Sequence, residues 1–490
     1  MRTVTQSNSA QSKIPAPGSF LSRNGCRLLA LVPLVFLIWV VASYAVDVPY
    51  LDQWELVPLL EKSYHGELTL HDLWAQHNEH RIIFPQIIML MLARLTGWNI
   101  RYELAVNLVL SLGIFAVFVR QVNVTERKLG MAALPWAIPA ISLIVFSLSQ
   151  FQNWLWGWQL QMFLNLLAVA GGIALLAHDT FRWWKFVAAA CLGIVATYSF
   201  ANGSLVWPIG LVILFITLAG KAERKAGIVA WSLIGSLTLW SYFYHYHKPE
   251  EHPPLSLIFK MPLEYLAYVF KYIGSIGAQG VGGDRAVDGV LAFIFGLLGT
   301  VTLAWAGGLL VRKQIAGFRT LLPYFAMSLY SIGSALITGV GRLGFGSDQA
   351  LAPRYCTMET PLWVSLIVFL SLLIQGDAKA SDARRPAPRT GRKPVLQRHQ
   401  LIAQWSLKAA ITVLVLGSAF AMIGVMNLSH QQAYGRDLLL NLAANPNGAI
   451  DYDGLSLIYP RPETILERYP ILLKHRLSLF RDREISTDSP

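Results

Sequence analysis

The chain has 490 residues, of which 54% are hydrophobic and only 14% charged, and its mean hydropathy of +0.46 excludes an ordinary soluble domain. Repeated apolar runs of about 16–24 residues are long enough to cross a ~30 Å hydrocarbon core as helices. The net charge of +12 is accounted for by Lys and Arg in cytoplasmic loops rather than by nucleic-acid binding, because no basic groove with stacking aromatics is visible.

Lipid offers no partners to backbone polar groups, so runs of this kind must be helices. Residues 1–27 read as a disordered, Ser-rich cytoplasmic tail. Arg23 and Arg27 precede the first run, Leu28–Val46, which reads as a retained span running outward because no small-residue cleavage site is convincing. An outer loop, 47–103, follows. It contains Ile82–Leu95, which is short for a span and suits an interfacial helix. Leu104–Val119 returns inward to Arg120, Arg127 and Lys128. Ala133–Ser149 goes out to the aromatic loop Gln150–Trp158, and Gln159–Ala177 comes back. Phe186–Tyr198 goes out to Ser199–Trp207, and Leu205–Leu218 returns to Lys221, Arg224 and Lys225. Gly227–Tyr244 leads to a long outer segment, 245–288, and Gly289–Val311 comes back. Leu321–Val340 leads out to 341–357, and Pro361–Ile374 comes in to a basic linker, 375–407. Ala409–Val425 then leaves 426–490 outside as a small periplasmic segment.

This predicts an all-α polytopic membrane protein of about eleven spans with interfacial helices in its outer loops. Glu264–Gly280 is apolar enough to be a twelfth. If it spans, the linker 375–407, with seven Lys or Arg against two Asp, lands outside, against the positive-inside rule. It is therefore expected to lie at the outer surface. The three cysteines, Cys26, Cys191 and Cys356, show neither metal spacing nor a disulfide framework. No P-loop motif is present. The expected location is a bacterial inner membrane, with the N-terminus cytoplasmic and the C-terminus periplasmic.

The motif-bearing loops all fall on the expected outer side, so any chemistry is extracytoplasmic. ATP and nucleotide sugars are absent there, which leaves a lipid-borne donor. The densest proton-handling stretch is Asp47–Arg81. In Tyr50-Leu51-Asp52-Gln53-Trp54-Glu55, a carboxylate at the membrane surface among aromatics suits a general base for an attacking hydroxyl. Asp52 is the first candidate, Glu55 the second, and Trp54 a sugar contact. The plainer reading makes Asp47 or Asp52 a helix cap.

In Trp74–Arg81, residues His77, His80 and Arg81 would share one face of a helix and bind a phosphate, Arg81 serving as a fork. The segment is not HExxH; if a divalent cation binds, it would fall to Asp52 and Glu79, and the pattern leaves open whether one is needed. The alternative is a solvated interfacial helix. In the Gly-rich stretch 341–355, Arg342, Arg354 and Tyr355 suit a lipid-linked phosphate, or snorkel to headgroups. Trp156 and Asn202 are candidate sugar or acceptor contacts, although outer-loop tryptophans also form interfacial belts. His245–His252 suits a loop over the site, or a metal site.

These features together resemble the GT-C superfamily of integral-membrane glycosyltransferases. The resemblance rests on an acidic residue after the first span, interfacial helices in that loop, ten or more spans and an outer-face arginine. The DQWE, HNEHRIIFP and GRLGFGSDQALAPRY segments also look like a group of bacterial membrane proteins of this architecture. The resemblance implies a polyprenyl-phosphate sugar donor and a lumenal or periplasmic site whose loop-one carboxylate is, by position, Asp52. The sequence departs from it in showing DQWE where many members have a paired acidic motif. The implied reaction is sugar transfer to a glycan, lipid or protein acceptor in the cell envelope. The alternatives are a flippase for polyprenyl-linked glycans, an O-antigen-type polymerase or ligase, and a structural scaffold.

Overall fold

The computed structural model describes residues 25, 28–131, 134, 136–249, 253–384 and 397–482. The expected disordered tail, most of the basic linker, and Glu250, Glu251 and His252 lie outside the described residues. Among the described residues there is no strand, only an isolated bridge between His77 and His80.

Among the described residues, seven helices are long and apolar enough to cross a membrane, within Ile100–Leu129, Gly157–Leu176, Arg224–Phe243, Arg285–Arg312, Phe318–Phe345, Pro353–Gln375 and Arg398–Ala444. Each matches one of the expected spans to within a residue of its end or contains it. Shorter apolar helices, Leu31–Tyr44, Trp183–Thr197 and Ala201–Thr217, stand where three more were expected, and Ile83–Thr96 is the expected short helix of the first loop. The expected span 133–149 differs. Its helix is only Ala137–Val145, about 14 Å long at 1.5 Å per residue. Phe146 leaves the helical geometry, and Ser147 opens a 3-10 turn by accepting from the Ser149 N–H. Pro262–Gly274 is likewise too short to cross alone, at 13 residues.

The packing is organised around Pro353–Gln375, of whose apolar window 94% is buried, against 28% for Arg398–Ala444 at the periphery. Between helices in lipid, small residues give close approach. Pro262–Gly274 crosses Arg285–Arg312 at Gly274 and Gly296, where an added Cβ would come within 2.0 Å of the Ala292 and Phe270 carbonyl oxygens respectively. Arg398–Ala444 runs on for 47 residues, so its helix continues past Met426 into the C-terminal segment. It turns at Asn445 and returns as two helices, Tyr452–Ser456, which packs back on Arg398–Ala444, and Pro462–Lys474, which packs on the first loop.

Candidate active site

The first loop begins with Leu51–Leu56, a 3-10 turn. In such a turn residues i and i+3 eclipse, so Asp52 and Glu55 emerge on one side while Gln53 and Trp54 point inward. Trp54 is completely buried and is a core anchor, not a sugar contact; a fully buried large apolar side chain stabilises by about 1.5–3 kcal/mol. Gln53 accepts from the Tyr50 N–H at 3.1 Å and donates to Glu103 at 2.7 Å, and Trp98 Nε1 donates to the other oxygen of that carboxylate at 2.8 Å. Leu51 holds φ at +46° immediately before Asp52, a conformation that strains a bulky residue by about 1–3 kcal/mol. Its N–H donates to the Ile458 carbonyl at 2.7 Å, so the C-terminal segment helps fix it.

Asp52 and Glu55 both line a cavity of about 910 Å³. All five loops expected on the outer side contribute to its wall: Asp52, Glu55 and 76–80 from the first, Trp156 and Trp158 from the second, and Asn202 from the third. The fourth gives Tyr246, Lys248 and Leu255, and the fifth gives Arg342, Arg354 and Tyr355. The C-terminal segment adds Tyr459, Pro460 and Arg461.

Residues 77–80 form a tight turn and not a helix. His77 and His80 exchange backbone hydrogen bonds of 2.8 Å, and Asn78 takes φ +49°, which Asn tolerates better than most side chains. The turn brings His77 Nε2 to 3.9 Å from Asp52 Oδ2 and stands its ring 5.0 Å from Trp158. It also turns Glu79 onto Arg342, with which it forms an ion pair. The cation pair Asp52/Glu79 is therefore not assembled; Glu79 is engaged elsewhere.

Arg81 is placed differently from its sequence expectation. Its guanidinium is absorbed by the protein, with Nε donating to the Tyr242 carbonyl at 2.8 Å and its amino groups to Trp74 at 2.5 Å and Tyr244 at 2.6 Å. It closes the C-terminal end of Arg224–Phe243, where a cation complements the helix dipole, and it is not part of the cavity wall. Arg81→Ala is expected to strand buried carbonyls at a cost of about 3 kcal/mol or more. Arg81→Lys should recover little, because it lacks the fork. Thermal unfolding in detergent checks this, and an unchanged Tm in both variants would contradict it.

His80 is enclosed against Phe200 at 4.3 Å, and its Nδ1 accepts from the Ala201 N–H at 3.4 Å. Burial pushes its pKa down to about 4, with Glu79 acting in the opposite sense, so it is neutral at pH 7. A histidine depressed below its free value of about 6.5 contributes stability that is complete above that pH and is lost as pH falls towards 4. The contribution is about 3 kcal/mol. The wild-type Tm should therefore fall more steeply than that of His80→Gln between pH 6.5 and 4; parallel curves would contradict this.

Of the two arginines in the Gly-rich stretch, Arg342 is neutralised by Glu79. Arg354 has no carboxylate partner among the described residues, and its guanidinium lies 5.1 Å over the Tyr355 ring, which stacks on Tyr272 at 5.1 Å. Its carbonyl accepts from Asn153 at 2.9 Å, which fixes the backbone. Trp156 packs edge-on to Tyr50 at 5.7 Å. Its Nε1, and the Oε1 atoms of Gln159 and Gln161, are buried in the cavity wall without a hydrogen-bond partner among the described residues. Asn202 Nδ2 donates to Thr338 at 3.4 Å.

Glu55, unlike Asp52, is tied to the C-terminal segment. Arg468 pairs with it at 3.0 Å, and Tyr459 donates its hydroxyl to the other oxygen. Burial, then the Glu55 hydrogen bond and charge, push the Tyr459 pKa up, so the phenol stays a donor. Arg468 also holds the Trp54 carbonyl at 2.8 Å. Tyr459, Arg468, Glu103 and Gln161 had no motif around them in the sequence. The only available signal was their polarity within apolar or featureless stretches.

No family model matches the sequence, and no curated protein matches it. Among solved structures, 94% of the chain is similar to 86% of ArnT from Cupriavidus metallidurans bound to undecaprenyl phosphate, at 13% identity and a TM-score of 0.45. A second similarity covers 97% of the chain and 62% of the archaeal oligosaccharyltransferase AglB from Archaeoglobus fulgidus, in complex with an inhibitory peptide and a dolichol-phosphate, at 11% identity and a TM-score of 0.39. Likeness at this level leaves the function to be read from the chain's own residues.

Proposed function

We propose that the chain is a membrane glycosyltransferase of the GT-C type, moving a sugar from a polyprenyl-phosphate donor to a glycan, lipid or protein of the cell envelope on the outer membrane face. One observation carries this reading: loops at one end of the apolar helices close around a cavity of about 910 Å³ with Asp52 and Arg354 in its wall. That volume is at the upper end of small-molecule sites and accommodates a donor headgroup together with an acceptor. A site at the ends of spanning helices is within reach of a donor whose tail stays in lipid.

In this reading Asp52 takes the proton from an acceptor hydroxyl as its oxygen attacks the anomeric carbon. The bond from that carbon to the phosphate oxygen breaks, and polyprenyl phosphate leaves with the electron pair. Arg354, paired with no carboxylate, meets the charge that develops on the leaving phosphate. His77 orients Asp52, and Tyr355 and Tyr272 set the plane on which Arg354 lies. The unsatisfied polar atoms of Trp156, Gln159 and Gln161 suit sugar hydroxyls, because leaving such atoms unpaired costs about 1–3 kcal/mol each. Attack opposite the leaving group makes the reaction inverting.

A flippase needs polar groups along a path through the spans. The buried acids here are fixed instead. Glu103 is held by Gln53 and Trp98, Glu126 by the Leu134 N–H, and Glu359 by Ser275 and the Ile276 N–H. None of the three lines the cavity. The test supplies purified protein in lipid with a panel of polyprenyl-phosphate sugars and an envelope extract. Sugar transfer with release of polyprenyl phosphate is expected; donor movement between leaflets without transfer would replace this proposal with the flippase.

A further inference from the structure

Outside the cavity, three metal-ligating side chains meet where the C-terminal segment docks on the first loop. Glu61 and His65 lie one turn apart on the helix Val57–His65, so both project from one face. His475, at the end of Pro462–Lys474, faces them. His475 Nε2 is 3.1 Å and His65 Nε2 3.7 Å from the Glu61 carboxylate oxygens, and one ligand atom from each of the three lies within 4.8 Å of the others. Ligand atoms around tetrahedral zinc, bonded at 2.0–2.1 Å, sit about 3.3 Å apart, so small side-chain rotations complete the arrangement. The His475 ring is already held by stacking on Tyr64 at 4.4 Å.

The geometry points to a divalent-metal site of zinc type at Glu61, His65 and His475 that clips the C-terminal segment to the first loop. The donor set, two imidazoles and a carboxylate, is the one borderline divalent ions take with a solvent molecule in the fourth position. A cation already occupies this spot: Lys474 Nζ lies 2.8 Å from Glu61 and 3.4 Å from His65. Its side chain is 55% exposed, so it is free to swing into solvent when a doubly charged ion enters. None of the three ligands lines the cavity. The clip joins the same two segments that Arg468 and Tyr459 join at Glu55, and it would stiffen the seat of the Asp52 turn without entering the chemistry.

Zinc binding by the tag-free, chelator-stripped full chain in detergent tests this, titrated against a chromophoric chelator. The wild type is expected to take up one equivalent and to gain Tm with zinc, by linkage of binding to the folded state. Glu61→Gln and His475→Ala should each lose at least about 100-fold in affinity and lose the zinc-dependent Tm gain, since removing a ligand costs more than removing its supporting partner. Lys474→Ala should bind zinc more tightly than wild type, a result that misfolding cannot mimic. No saturable uptake by the wild type, uptake unchanged in both ligand variants, or weaker binding by Lys474→Ala would overturn the site. Because the readout is metal uptake, it stands or falls independently of glycosyl transfer.

Discussion

Asp52→Asn is expected to reduce sugar transfer by about 10²–10⁴-fold, the usual range for loss of a general base, while leaving Tm unchanged. The amide keeps the volume of the side chain but cannot accept the acceptor's proton. The fold should not register the change, because the turn is anchored by Gln53 on Glu103 and by the buried Trp54, whereas the partner of Asp52 is the cavity-facing His77. Glu55→Gln supplies the contrast. Its carboxylate is tied to Arg468 and Tyr459, so its loss should lower activity less and should lower Tm as the C-terminal segment loosens. Full transfer by Asp52→Asn in the reconstituted assay would remove Asp52 from the mechanism.

Arg354→Ala should cost about 10²–10³-fold in kcat/KM, comparable to removing one preorganised donor from a site of developing negative charge. Both binding of the donor and departure of its phosphate would suffer. Arg354→Lys should restore only part, since an ammonium keeps the charge but not the bidentate geometry. Arg342→Ala should behave differently: it uncovers the Glu79 carboxylate and should act mainly through stability. Equal losses of activity and equal Tm values for the Arg342 and Arg354 variants would contradict this division of labour.

The grouping of the cavity loops was legible from hydropathy together with the charge of the basic linker, which kept Glu264–Gly280 from being counted as a span. Alternating the apolar runs put five loops on one side, and those five loops build the cavity wall. The long helices were also legible, because a membrane span is written as a continuous apolar run. The run 133–149 misled because apolar length does not reveal where a chain turns inside the protein; Ala137–Val145 is nearly wholly enclosed by other helices and need not reach the full thickness by itself. Charge was a poor guide to role at single positions. Arg81 and Arg354 look alike in sequence, but, Trp74 apart, the carbonyls that consume Arg81 come from residues 242–245, more than 160 positions away. The HNEH stretch has helical spacing, yet its helix is cut short by a turn whose reward is the Glu79–Arg342 ion pair. The part played by the C-terminal segment was invisible, because Tyr459 and Arg468 gain meaning only when that segment folds back on Glu55.

The most direct measurement is the structure of the protein bound to a polyprenyl phosphate, determined by electron cryomicroscopy in lipid nanodiscs. The account predicts the phosphate in the cavity within hydrogen-bonding distance of the Arg354 guanidinium, with Asp52 facing the place the sugar would occupy and the isoprenoid tail leaving between helices into lipid. A phosphate seated instead among the basic residues at the opposite ends of the helices, with the Asp52–Arg354 cavity untouched, would contradict it.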